Sequence, residues 1–463
     1  MTESSSSAST NEPVLLVDVA DQIATLTLHR PEARNALSRE LMFALWDAVL
    51  TAGDDPDVDA VVLTGSYDTA RLFQSWRPDL RLLAETSGKN ALVVSQTADV
   101  DLALRDLVRS AFGHAGQKCS AASLAIVEAP LHDDPAFLPR LADAVRTLRV
   151  GPATDLASVV GPLIAPPTGP LLRALTTLDP GERWLVEPRR LDASGCRWSP
   201  GVKVGVRPGS WFHRTECFGP VLGVIRADDL DHAVRIQDAV PYGLTGGLHS
   251  LDEAEIGSWL ARAHVGNAYV NRHTTGAIVG RQPFGGWKRS AIGRGAKTGG
   301  PGDVERFVTF RRTRPPEQGT AAASYERWWT TRFGVEVDRS GLAAERNVLR
   351  HRPVAGVVAR VDATTPTLDV AALRAAAAVT GVALEIATDD AAVLAALPRV
   401  ERVRALVPVA DAVAAACHDA DVALDRTAVV HDGRVELPCW LREQAVSWTV
   451  HRHGRLAGQD GGP

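Results

Sequence analysis

The chain has 463 residues, of which 45% are hydrophobic and 23% charged, and its formal net charge is −5. This length suggests about three domains and is ample for a large core, while the charge excludes a nucleic-acid protein held by a general basic surface. The five cysteines, with no Cys-x-x-Cys pair among them, exclude a disulfide framework and a zinc site of that pattern, and no apolar run is long enough to span a bilayer.

Residues 1–12 are polar and Ser-rich, without the apolar segment of a signal peptide. Two short alternating runs at 14–19 and 23–28, broken by Asp21-Gln22, predict a hairpin. Residues 31–35 read as a turn, and Ser38 is placed to cap a helix over 39–50. The apolar run at 59–64 predicts a buried parallel strand. Gly65 follows, then a helix over 68–76 and a strand over 91–95. Between 97 and about 310 helical and strand patterns alternate with Gly and Pro punctuation. Residues 313–323 read as a linker. Beyond it, strand patterns at 354–361, 382–387 and 402–408 alternate with helical ones at 371–379 and 409–416, predicting a small α/β unit. The fold class is therefore α/β, in a soluble, cytoplasmic protein without a metal site. No Gly-x-Gly-x-x-Gly is present, so the usual Rossmann fingerprint is missing.

The strongest chemical signal is Phe112-Gly113-His114-Ala115-Gly116-Gln117-Lys118-Cys119-Ser120. Small residues let substrate and backbone approach the sulfur, and nearby positive charge favours the nucleophilic thiolate. An isolated Cys is more often a buried structural thiol, and a lone Glu more often a solvated acid. Cys119 stands, however, 34 residues after Glu85 of Glu85-Thr86-Ser87-Gly88-Lys89-Asn90. Together these segments resemble the two signatures of the aldehyde dehydrogenase superfamily, and three more segments resemble it downstream. Glu216-Cys217-Phe218-Gly219-Pro220 is similar to its nicotinamide-ribose contact. Asn271-Arg272-His273-Thr274-Thr275-Gly276-Ala277 and Gln282-Pro283-Phe284-Gly285-Gly286 are similar to its substrate-pocket loops.

The resemblance implies an NAD-dependent oxidoreductase in which Cys119 attacks the aldehyde and Glu85 activates water. It implies that Gly65, Ser66, Thr86, Glu216 and Phe218 contact NAD. The Gly65-Ser66 turn suits this physically, because it would offer backbone N–H groups to a pyrophosphate. Ser120 with Thr275-Gly276-Ala277 resembles the carboxylate anchor of L-glutamate-γ-semialdehyde (pyrroline-5-carboxylate) dehydrogenases of proline catabolism, so Ser120, Gly276, Ala277 and Phe284 are implied substrate contacts. A hydroxyl and two backbone N–H groups can hold a carboxylate without a buried cation. The partner expected is a small aldehyde, with neither nucleic acid nor membrane, and the sequence is compatible with a homo-oligomer.

Two further resemblances set the expected organisation. Residues 328–347 and 441–444 resemble the C-terminal region of bifunctional proline utilization A proteins, a catalytically silent fold that aids assembly. Residues 14–65, with Asp21 to Ser38 the most similar, resemble the start of an enoyl-CoA hydratase (crotonase) chain, in which the segment near 33–36 touches CoA. The family's Pro-Trp-Asn segment and its adenosine-ribose Lys have no counterpart here. The expectation is a crotonase-like fragment over 1–65, a shortened Rossmann-like cofactor domain with the catalytic domain over 66–312, and a C-terminal α/β domain over 325–463. Three alternatives remain: a silent assembly module, a CoA-binding crotonase remnant, and an NAD-independent thiol esterase using Cys119 and Glu85. Aldehyde-dependent NADH formation separates the dehydrogenase from all three, and a Cys119-dependent ester burst without NADH marks the esterase.

Overall fold

The computed structural model describes residues 13–20, 23–29, 39–54, 60–77, 80–293, 296–308, 310 and 318–450. Its first layer is a five-stranded sheet. The hairpin Leu15–Ala20 and Ile23–Leu28 forms as the alternating pattern predicts. Ile23–Leu28, Ala60–Thr64 and Leu82–Glu85 then run parallel, and Ala291–Ile292 closes the edge antiparallel. Helices Arg39–Asp54 and Tyr67–Trp76 cover one face. Leu41, Leu45 and Ala48, at helical spacing, pack with Ala70 and Phe73 onto Leu15, Leu82 and Ala84. On the other face Val62 is 45% exposed although Leu83 beside it is buried, so the strand expected to be buried on both faces is not buried at Val62. Residues 33–36, expected to touch CoA, lie outside the described residues.

The second layer is a ten-stranded sheet. Asn90–Val94, Ala122–Glu128, Val221–Ala227 and Gly201–Val204 run parallel on one side of its centre, and Thr245–His249 and Asn267–Val270 on the other. Leu92, Val93, Val94, Leu124, Ala125, Ile126 and Val127 are wholly buried, as strands between two helical layers require. Helix Val100–Phe112, capped by the Asp99 side chain, and helix Leu230–Asp238, capped by Asp229, each lay an apolar stripe on the sheet.

The C-terminal part contributes to this same sheet. Strands Glu345–Pro353 and Leu441–Thr449 pair antiparallel over nine residues, and the second runs parallel to Asn267–Val270. Between them a separate parallel sheet, in the spatial order Ala383–Ala387, Gly356–Arg360, Arg402–Ala405 and Ala423–Asp425, forms the small α/β unit. The strand read at 354–361 forms as Gly356–Arg360, two residues after strand Glu345–Pro353 ends. The residues read as a linker to 323 already form helix Thr320–Trp328 from residue 320 onward.

The small unit is locked by a buried ion pair. Arg404 Nη2 lies 3.0 Å from Glu436 Oε1, with the two side chains 0% and 1% exposed. Asp425 takes Arg404 Nη1 at 2.8 Å, and the Val430 N–H and Trp440 indole donate to Glu436. The pair is buried, so removing one partner strands the other. Glu436→Ala is expected to cost about 3–5 kcal/mol, read as a lower urea midpoint.

Candidate active site

The nucleophile loop is bent by backbone conformation before any side chain acts. Helix Val100–Phe112 ends, and His114, Ala115 and Gly116 follow with φ of 55°, 53° and 67°. Two non-glycine residues in the left-handed region cost energy and mark a constrained turn. Gly116 is required by contact as well as conformation, since a Cβ there would stand 2.4 Å from the Gly219 carbonyl oxygen. The turn delivers Cys119 to a solvent-reached position, while the other four cysteines are buried.

Three side chains clamp this loop, Asn90 and Thr245 from the sheet and Thr274 from the loop after strand Asn267–Val270. Asn90 Nδ2 donates to the carbonyls of Cys119 at 2.7 Å and Ala121 at 2.9 Å, and Asn90 Oδ1 accepts from the Thr245 N–H. The Thr274 and Thr245 hydroxyls donate to the Ser120 carbonyl at 3.1 and 3.2 Å. Gly88 lies so close that a Cβ would stand 2.6 Å from the Cys119 carbonyl oxygen. Asn90, Thr245 and Thr274 were not singled out by sequence reasoning. Asn90 and Thr274 lie inside the quoted motifs, but their backbone partners are fixed only by strand pairing.

Although solvent reaches Cys119, the protein around it pushes the thiol above its ordinary value, and the Glu85 carboxylate adds to this. The N–H groups of Ser120 and of Cys119 itself favour the thiolate but do not outweigh the rise. A raised pKa means little thiolate near neutrality. Iodoacetamide labelling of Cys119 is therefore expected to keep accelerating as pH rises past the ordinary thiol value of 9.0. Glu85→Gln should move that profile to lower pH, and a wild-type midpoint below the ordinary value would contradict the arrangement.

Glu85 ends strand Leu82–Glu85, and its Oε1 accepts a hydrogen bond from the Thr298 hydroxyl. Arg306 Nη2 donates to the same hydroxyl oxygen at 3.1 Å. Thr298 also forms a two-way backbone bridge with Phe284 at 3.0 and 2.8 Å. One threonine thus joins the candidate base to the candidate substrate loop, and nothing in its local sequence signals this. Lys297 beside it is wholly buried, donates to Asn267 Oδ1 at 2.9 Å and to the Gly285 carbonyl, and is pushed down to about 7 by burial.

The candidate cofactor residues fall into two groups. Gly65 and Ser66 are exposed at the end of strand Ala60–Thr64, with Ser66 capping the ten-residue helix Tyr67–Trp76 through the Thr69 N–H. Glu216 is half-buried, and its Oε1 accepts the Gly88 N–H at 2.8 Å, next to the Cys119 carbonyl. Burial raises the Glu216 carboxyl above its usual range. Phe218 is 40% exposed with a φ of 54°. Thr86 is buried, and its hydroxyl donates to the Arg289 carbonyl. Among the substrate candidates, Ser120 is buried beside Cys119, and Gly276 and Ala277 are exposed just after the clamping Thr274. A left-handed, glycine-suited φ of 77° at Gly276 turns that loop. Among the described residues no helix is long and apolar enough to cross a membrane, and no group of three or more His, Cys, Asp or Glu could hold a metal ion.

The site thus brings together a solvent-reached Cys in the turn before strand Ala122–Glu128, a Glu whose charge acts on that thiol, and a Gly-Ser turn opening a helix. The chain matches the Aldehyde dehydrogenase family over residues 47–312 and belongs to it. The match begins inside the stretch that resembles crotonases, so the two likenesses overlap over 47–65. The chain is 37% identical over 259 residues to a 1-pyrroline-5-carboxylate dehydrogenase of Geobacillus kaustophilus (strain HTA426), covering 54% of this chain and 49% of that one. The fold is similar to that of proline utilization A from Corynebacterium freiburgense, at 41% identity and a TM-score of 0.79, over 90% of this chain and 47% of that one. It is also similar to a 1-pyrroline-5-carboxylate dehydrogenase from Thermus with bound NAD, at 34% identity and a TM-score of 0.51, over 56% of this chain and 51% of that one. The chain thus spans about half the length of these relatives.

Proposed function

We propose that the chain oxidises L-glutamate γ-semialdehyde, the open form of pyrroline-5-carboxylate, to glutamate in proline catabolism. The observation that carries the reading is the convergence of Cys119, Glu85 and Glu216 on one loop cluster, with the Ser120 carbonyl held by Thr274, two residues before Gly276. The names of the relatives support the substrate assignment.

The Cys119 sulfur attacks the aldehyde carbon, and the carbonyl electron pair moves to oxygen as the thiohemiacetal forms. The Cys119 backbone N–H stabilises that oxyanion. The exposed Gly65-Ser66 turn at the N-terminus of helix Tyr67–Trp76 suits a pyrophosphate. Glu216, close enough to raise the Cys119 thiol, suits a ribose diol beside the reacting sulfur, and the resemblance adds Thr86 and Phe218 as further contacts. The residues present therefore fit NAD, whose chemistry when bound is to accept the hydride that turns the thiohemiacetal into a thioester. Glu85 then takes a proton from water as that water attacks the thioester carbon, and glutamate leaves as the thiol reforms. Ser120, Gly276, Ala277 and Phe284 hold the substrate, the first three through its α-carboxylate. Given L-glutamate γ-semialdehyde and NAD, the chain is expected to form NADH and glutamate one for one. Neither product would form if the reading were wrong.

A further inference from the structure

We infer that Asp421, in the small C-terminal unit, is a positioning residue for the cofactor end of the site. The inference rests on the reading of Gly65, Ser66 and Thr86 as cofactor contacts. Asp421 lies in the turn between helix Asp411–Asp419 and strand Ala423–Asp425, with a φ of 57°. Asp and Asn adopt this left-handed backbone more readily than other side-chain-bearing residues.

Its two carboxylate oxygens hold two different segments. Oδ1 accepts from the Tyr67 hydroxyl, and Oδ2 accepts from Arg289 Nε at 2.8 Å. The Arg289 guanidinium lies 5.1 Å over the Tyr67 ring, and Arg71, one turn further along the same helix, pairs with Asp419 at 2.6 Å. Both donors lead directly into the site. Tyr67 is the first residue of the helix that Ser66 caps, and its N–H donates to Ser87 Oγ at 3.3 Å. The Arg289 carbonyl accepts the Thr86 hydroxyl, the Ser290 carbonyl accepts the Thr86 N–H at 3.1 Å, and the Ser290 hydroxyl donates to the Ser87 carbonyl at 2.6 Å.

One carboxylate therefore braces the pyrophosphate turn through Tyr67 and the Glu85–Ser87 segment through Arg289. Gly65 and Ser66 are exposed, and loops of that kind open easily unless tied down. Hydrogen bonds to a charged group are the stronger kind, and two of them on one anion couple the segments that share it.

Amide hydrogen exchange on the whole chain tests this without relying on turnover. Asp421→Asn keeps a left-handed-tolerant residue but turns an NH₂ group toward Arg289 or Tyr67. It is expected to raise exchange about tenfold across 65–76 and 85–89 together, while strand Asn90–Val94 and Cys119 labelling stay unchanged. The Kd for NAD, read by tryptophan fluorescence, should rise about tenfold with it, and Asp421→Glu should recover part of both effects. Tyr67→Phe, a milder change, should loosen 65–76 alone. Exchange that rises only around 411–425, or in neither cofactor segment, would overturn the inference and leave Asp421 as a local turn residue. Wild-type protein that binds no NAD would refute the cofactor reading, while the exchange data would still decide whether Asp421 braces these segments.

Discussion

Cys119→Ala is expected to lower aldehyde turnover by at least about 10³-fold and to abolish any covalent adduct with the substrate. The reason is chemical rather than structural. Cys119 is the solvent-reached thiol, whereas Cys196, Cys217, Cys417 and Cys439 are buried, so no second sulfur can take over. The clamp that presents the residue acts on its backbone, through the Cys119 and Ser120 carbonyls, and is retained in the Ala variant. Thermal unfolding should therefore barely change while turnover disappears. Turnover that survives the substitution would remove Cys119 from the mechanism.

Glu85→Gln is expected to separate the two halves of the reaction. Deacylation needs a base and should slow by about 10²–10⁴-fold, whereas thiohemiacetal formation does not need that base. The variant should therefore give a burst of NADH close to one per site, followed by a slow phase, with the acyl adduct visible in the intact mass. Gln can still accept from the Thr298 hydroxyl, so the loop carrying Phe284 keeps its tie to this position. Removing the carboxylate also takes away a charge that raises the Cys119 thiol, so attack should be no slower at neutral pH. A uniform loss with no burst would mean that Glu85 acts before the thioester.

The family was more legible in the sequence than the architecture. Cys119 and Glu85 stand in short segments whose residue types are dictated by local demands. Gly116 must adopt a left-handed backbone against the Gly219 carbonyl, and Gly88 must leave room for the Cys119 carbonyl. The hairpin at 15–28 was legible for the same reason, since alternation acts over a few residues. Long-range pairing was not. Leu441–Thr449 and Glu345–Pro353 join the catalytic sheet from beyond the small unit, and no local pattern says which sheet an apolar strand will enter. Thr298 and Asp421 escaped notice because each acts through a contact made across more than a hundred residues of chain. Val62 was misread because an apolar run records what a strand can bury, not what it does bury.

The account turns on whether this chain couples thiol chemistry to a nicotinamide acceptor. The direct measurement is NADH formation by the purified chain with L-glutamate γ-semialdehyde and NAD, run beside Cys119→Ala. The expected result is NADH and glutamate in equal amounts from the wild type and none from the variant. Thiol-dependent ester hydrolysis without NADH, or no signal in either assay, would contradict it.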